Sequence, residues 1–185
     1  MSVYNDTTLR YFFTILLTGI LLQSTRVRGQ QYVSLTDEIL TVNSRTAIGG
    51  NTRNITHVVL PDSTIGVVYR ISVSKKGTTN VSNLLFNVLQ TVNPRVALAS
   101  SLAQFVIANR DGQSVDAFIF TNKQDVDNFS TRNDGYWTAC KEMLNRSNCC
   151  IPLTECIQTD LYFGFRNNNV VTGLDVKLEI VAITK

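Results

Sequence analysis

Few residues in this chain of 185 have side chains suited to chemistry: four cysteines, a single histidine and a scatter of aspartates. Cys140, Cys149, Cys150 and Cys156 fall in one short stretch. In an oxidising compartment an even, clustered set of thiols reads as two disulfides. A bond between the neighbours Cys149 and Cys150 would strain the peptide joining them. That leaves Cys140–Cys149 with Cys150–Cys156, or Cys140–Cys150 with Cys149–Cys156. Such a set could instead hold zinc, but the C-x-x-C spacing of zinc sites is missing.

His57 is the one base that a Ser-His-Asp or Cys-His machine could use. It lies between Thr56 and Val58 in a short strand pattern with no nucleophile motif nearby, and reads as an exposed or edge-strand residue. Glycosidic chemistry needs two acids flanking a bond. Asp116, Asp125, Asp127 and Asp134 are candidates, with nothing to single out a pair. Asp125-x-Asp127-Asn128 begins like a calcium loop, but Phe129 takes the next ligand position and the glycine is absent. There is no Walker loop and no dinucleotide fingerprint. The expectation is a non-enzymatic chain with no cofactor and no metal.

The compartment follows from the first residues. Arg10 precedes Tyr11–Leu22, an apolar run of about a dozen residues, shorter than the roughly 20 of a bilayer span. Val27 and Gly29 sit where small residues precede a cleavage point. Residues 1–29 therefore read as a signal peptide cut before Gln30, with residues 30–185 as a single domain; the alternative is a retained signal anchor. Cleavage removes Arg10, Arg26, Arg28 and Asp6, lowering the formal charge from +3 to +1. A near-neutral chain without Lys/Arg clusters argues against nucleic acid, and Lys75-Lys76 reads as a solvated turn. No second apolar run is long enough to span, so the expected product is secreted. Sequons at Asn54, Asn80, Asn128 and Asn145 suit a glycoprotein in a eukaryotic source.

The elements that would position these residues are mostly strands. Gln31–Thr36 and Glu38–Val42 are rich in β-branched and apolar residues, and Ile48–Thr52 is a turn around paired glycines. His57–Leu60 is a short strand halted by Pro61. Gly66–Ser74 puts Val67, Tyr69, Ile71 and Val73 on one face. The period then becomes helical across Val81, Leu84, Leu85, Val88, Leu89 and Val92. A second helical run follows from Val96 to Ala108, after the break at Pro94. This insertion, about residues 81–108, reads as helices covering one sheet. Ser114–Thr121 is apolar on both faces and therefore central, and Asn122–Gly135 is a polar excursion. Leu161–Arg166 and Leu174–Ile183 alternate as a closing β-hairpin, each with one buried face. The fold class is mainly β: an antiparallel β-sandwich or jelly roll with a helical insertion and a disulfide-pinned loop at 140–156.

Val115–Thr121 with the polar segment reaching Asn128-Phe129 resembles the central strand of GOLD domains, the lumenal β-sandwiches of a class of cargo receptors. Leu161-Tyr-Phe-Gly-Phe-Arg-Asn-Asn-Asn169 and Val176-Lys-Leu-Glu-Ile180 are similar to their last two strands, and to the end of bacterial pre-peptidase C-terminal domains. The resemblance covers about a third of the mature chain and implies the β-sandwich fold alone. No coiled coil, transmembrane helix or cytoplasmic tail follows the strands, so cargo transport is not carried over.

The functional expectation is a secreted domain that binds a protein or glycan through loops on a rigid sheet. Tyr136 and Trp137, beside the cysteine stretch, are the candidate contacts, unless both pack beneath it as core. The alternatives are a secreted carboxylate-dependent hydrolase and a matrix or wall component assembled through strand edges.

Overall fold

The structure is a computed structural model that describes residues 29–78, 84–93 and 112–185. The signal segment before Gly29, the sequon at Asn80 and the helical run 96–108 lie outside those residues. Eight strands follow the chain: β1 (Gln31–Val42), β2 (Arg53–Val59), β3 (Thr64–Lys75), β4 (Val115–Phe120), β5 (Lys141–Arg146), β6 (Asn148–Leu153), β7 (Asp160–Arg166) and β8 (Leu174–Thr184). Two short helices are described, α1 (Leu84–Leu89) and α2 (Lys123–Ser130).

The strands form two four-stranded antiparallel sheets, ordered β1-β8-β3-β6 and β2-β7-β4-β5. First pairs with eighth, second with seventh, third with sixth and fourth with fifth. A chain folded once into a long antiparallel hairpin and then rolled gives this pairing, which is the jelly roll. Every connection except β4–β5 passes from one sheet to the other.

The inward faces explain why these segments are strands. Val67, Tyr69, Ile71 and Val73 of β3 meet Leu161, Phe163 and Phe165 of β7 and Val115, Ala117 and Ile119 of β4 in one core. Each valine, leucine, isoleucine and phenylalanine among them contributes about 1.5–3 kcal/mol by leaving water. β1 is one strand where the sequence suggests two; Leu35 is the extra residue of a bulge between Ser34 and Thr36, and it packs on the core. β4 is buried on both faces and lies between β7 and β5, as its pattern predicts.

Both outer faces are covered in part. Leu85 and Leu89 of α1 pack on Val68, Val181 and Ile183 of the first sheet. On the second sheet α2 lays Val126 and Phe129 over Phe118 and Phe120. Gly164 makes room for that helix, because a Cβ there would come within 2.9 Å of the Phe129 and Phe120 rings.

The structure corrects four expectations. Residues 160–183 are not a hairpin, for β7 and β8 belong to opposite sheets and their link crosses the end of the sandwich. β8 is buried on both faces, so Asp175, Lys177 and Glu179 are interior groups, beside Thr41, Asp37 and Arg70 respectively. The polar excursion contains α2, started by the Asn122 side chain, which accepts the Gln124 amide hydrogen at 2.9 Å. The cysteine stretch is two strands, and only one disulfide forms, Cys140–Cys156, with Cα atoms 6.1 Å apart.

Both anticipated pairings fail for a geometric reason. Cys149 and Cys150 are consecutive on β6, so one points into the core between the sheets and the other to the outer face against Val68 and Val181. Cys140 precedes β5 and Cys156 follows β6, and the disulfide ties these two strands, hence the two sheets, at one edge. Burial pushes the Cys149 thiol up and the Cys150 thiol up to about 12. Neither thiol is therefore expected to react with a disulfide reagent in the folded protein at pH 8. Both should react in guanidinium, and the other two only after reduction; a native thiol titre above zero would contradict this pairing.

Candidate functional site

Across the end of the second sheet, Arg53 on β2, Arg166 on β7 and Asp116 on β4 stand in one register row. Side chains directly opposite one another share a face, here the outer one. Asp116 is 4% exposed. Its Oδ2 accepts from Arg166 Nη2 at 3.0 Å and from Asn168 Nδ2 at 2.5 Å, and its Oδ1 accepts the Asn145 amide hydrogen at 3.0 Å. Arg53 is buried as well. Its Nη2 donates to both Asp134 oxygens, at 2.8 and 2.9 Å, and its Nη1 donates to the Phe129 carbonyl. The two guanidinium groups lie on aromatic faces, Arg53 at 4.8 Å from the Phe129 ring centre and Arg166 at 5.1 Å from that of Phe118.

Above this row a pocket of about 470 Å3 is walled by Arg45 from the β1–β2 loop, Arg132 and Asp134 from the segment after α2, and Asn168 from the β7–β8 loop. Arg53 and Arg166 each have a carboxylate partner, whereas Arg45 and Arg132 are exposed and make no ion pair among the described residues. Four arginines against Asp134 and Asp116 leave the pocket two positive charges in excess.

The position of Arg132 is informative. It ends α2 at a φ of 61°, with its amide donating to the Phe129 carbonyl and that of Asn133 to the Asn128 carbonyl. This is a Schellman cap, whose left-handed residue is usually glycine. An arginine there costs about 1–2 kcal/mol of backbone energy, and such strain collects at functional positions.

Arg53 and, less strongly, the indole N–H of Trp137 hydrogen-bond Asp134 and hold its carboxyl below the ordinary 3.8. A carboxylate whose pKa is depressed by folding adds stability above its unfolded pKa and loses it as pH falls through the folded value. The acid limb of the melting-temperature curve, below about pH 4, should therefore be shallower in D134N than in the parent. Identical limbs would remove Asp134 from the acid response.

The residues singled out from sequence are placed as follows. Tyr136 is 72% exposed. Trp137 packs edge-on against Phe118, Phe120 and Phe129 and donates to Asp134 Oδ1 at 3.2 Å, so it supports the pocket wall from behind. His57 lies on the edge strand β2, stacked on Tyr162 and 2.7 Å from Asp160, in solvent. Asp125 and Asp127 belong to α2, where they meet the Thr138 amide and Lys123. Among the described residues no three or more His, Cys, Asp or Glu side chains gather as a metal set. No helix among them is long and apolar enough to cross a membrane.

Three sequons are described. The amide nitrogens of Asn54 and Asn128 donate to the carbonyls of Thr41 and Tyr136, while Asn145 is exposed at a φ of 54° at the end of β5. The pocket arginines were not foreseen from sequence, since positions 45, 53, 132 and 166 share no local spacing. No protein-family model, no curated protein and no solved structure matches the chain.

Proposed function

We propose that this is a secreted, non-enzymatic binding domain that recognises an acidic glycan through the arginine pocket at one end of its jelly roll. The observation that carries the reading is the pair of uncommitted guanidinium groups, Arg45 and Arg132, facing a pocket with excess positive charge. Guanidinium forks match carboxylate and sulfate oxygens in geometry and charge. The pocket's size suits one or two sugar rings, and its walls lack the apolar surface that a lipid tail or drug-like ligand would need. The Asp116–Arg166 and Asp134–Arg53 pairs make a fixed frame that holds the ligand groups without collapsing under their mutual repulsion.

A binding role fits better than the hydrolase alternative. Asp134 is the one acid among the described residues of the pocket wall, and a general acid needs a raised pKa where this one is lowered. Secretion rests on the leader-like first 29 residues and is supported by the disulfide. In a glycosylating host, peptide mapping should find sugar on Asn145 and none on Asn54 or Asn128, whose amides are engaged.

The test is titration calorimetry with a sulfated and a uronic-acid oligosaccharide, set against a neutral one of equal length. Each charge-assisted contact is worth about 1.5–3 kcal/mol, so R45A and R132G should each weaken binding about 10–100-fold. R132G also relieves the left-handed strain, so its melting temperature should equal or exceed the parent's. Equal affinity for the neutral sugar, or unchanged affinity in both variants, would defeat the proposal. A ligand that proves to be an acidic protein segment would show as pocket-dependent binding without saccharide binding.

A further inference from the structure

Beside the pocket, the β1–β2 and β7–β8 loops expose three aliphatic side chains, Ile48, Val170 and Val171. Isolated exposed apolar residues are ordinary, and Val59 and Leu144 are of that kind. These three differ because their loops are joined and rim the cationic pocket. The Arg45 amide donates to the Asn169 carbonyl at 3.0 Å, and both the amide and hydroxyl of Thr46 donate to the Val170 carbonyl, at 3.1 and 2.7 Å. Arg45 lines the pocket three residues before Ile48, and Asn168 two residues before Val170. Lys75 and Lys76 are exposed at the same end, with the Lys76 amide held by the Gly173 carbonyl.

Resting on the reading of the pocket as an acidic-glycan site, we infer that the glycan is the headgroup of an acidic glycolipid, met at a membrane surface by these loop tips. The pocket takes the sulfate or carboxylate of the headgroup, and Ile48, Val170 and Val171 enter the interfacial layer beside it. Charge complementarity favours a surface of anionic headgroups over a neutral one. The amides of Arg45, Thr46, Ala47 and Gly50 and the carbonyl of Val170 are hydrogen-bonded within the two loops, which holds the tips in place beside the pocket. A protein partner would be expected to meet a broad patch with aromatic anchors, whereas the tips are small, aliphatic and built on tight turns. The Asn145 sequon lies on β5, three strands from β2 across the second sheet, so sugar there would flank this contact.

The test compares a soluble 3-sulfogalactoside with phosphatidylcholine vesicles carrying sulfogalactosylceramide, using the full mature chain. Vesicles of phosphatidylcholine alone and with phosphatidylserine serve as controls. The parent should bind the glycolipid vesicles about tenfold or more tighter than the soluble sugar, from the apolar area the tips bury. I48S/V171S should lose that gain and keep the soluble affinity, while R132G should lose both. Soluble binding without any vesicle gain, or a gain that survives in I48S/V171S, overturns the membrane inference and leaves the glycan reading standing. Binding to neither overturns both, and equal binding to the phosphatidylserine vesicles overturns the assignment to a glycolipid.

Discussion

Replacing Asp116 with alanine is expected to lower the unfolding free energy by about 3 kcal/mol. The carboxylate is buried and serves Arg166, Asn168 and the Asn145 amide at once. Its removal leaves a largely buried guanidinium facing the arginine on β2 in the same register row, and an amide hydrogen without an acceptor. Arg166 retains some solvent, which keeps the cost near the low end of the range of about 3–5 kcal/mol for broken buried pairs. In a domain of this size 1 kcal/mol moves the melting temperature by about 2–4 °C, so a fall of roughly 10 °C should be seen. D116N keeps the shape and an acceptor oxygen and should cost about half as much. The double variant D116A/R166A should be less destabilised than the two single costs summed, because neither charge is then stranded. A D116A protein that melts with the parent would show that the row does not hold this end of the sheet together.

What the sequence discloses of this molecule is its periodicity, and what it conceals is which elements meet. Val67, Tyr69, Ile71 and Val73 announce their shared face, and Val115–Phe120 its central place, because period-2 burial is a local signal. The crossing of β7 to β8 is not local, since a turn-rich link such as Asn167–Gly173 serves a hairpin and a sheet-to-sheet corner equally well. α2 carries only two buried apolar residues, Val126 and Phe129, too few for a helical stripe to stand out. Its most legible trace is indirect, the glycine at position 164 facing the Phe129 ring across the sheet. The cysteine pairing needs the β5–β6 corner, which brings Cys140 and Cys156 together and turns Cys149 and Cys150 apart. The pocket is the extreme case. Its four arginines come from a loop, two strands and a helix cap, brought together by the jelly-roll pairing and the backward run of α2 over the sheet. Sequence reasoning directed attention to Tyr136 and Trp137, and the second of these does touch the site through Asp134.

On the opposite sheet, truncating Glu179 is expected to cost about 3–5 kcal/mol in E179A. It pairs with Arg70 directly across the β3–β8 ladder, with side chains 4% and 10% exposed. Its second oxygen accepts the Leu85 amide hydrogen at 3.2 Å, one of the unpaired donors in the first turn of α1. E179A therefore strands a buried guanidinium and uncaps the helix that covers Val68 and Val181. Hydrogen exchange should show α1 amides losing protection beyond the global loss, which a purely electrostatic role for the pair would not produce. The pair itself is another matter. Desolvating two charges offsets much of their attraction, so the apolar replacement R70M/E179L should recover most of the stability, leaving only the helix cap unmet. Urea unfolding of the three proteins separates these contributions. If R70M/E179L is as unstable as E179A, the loss lies in packing and the cap, and the stranded charge is not its cause.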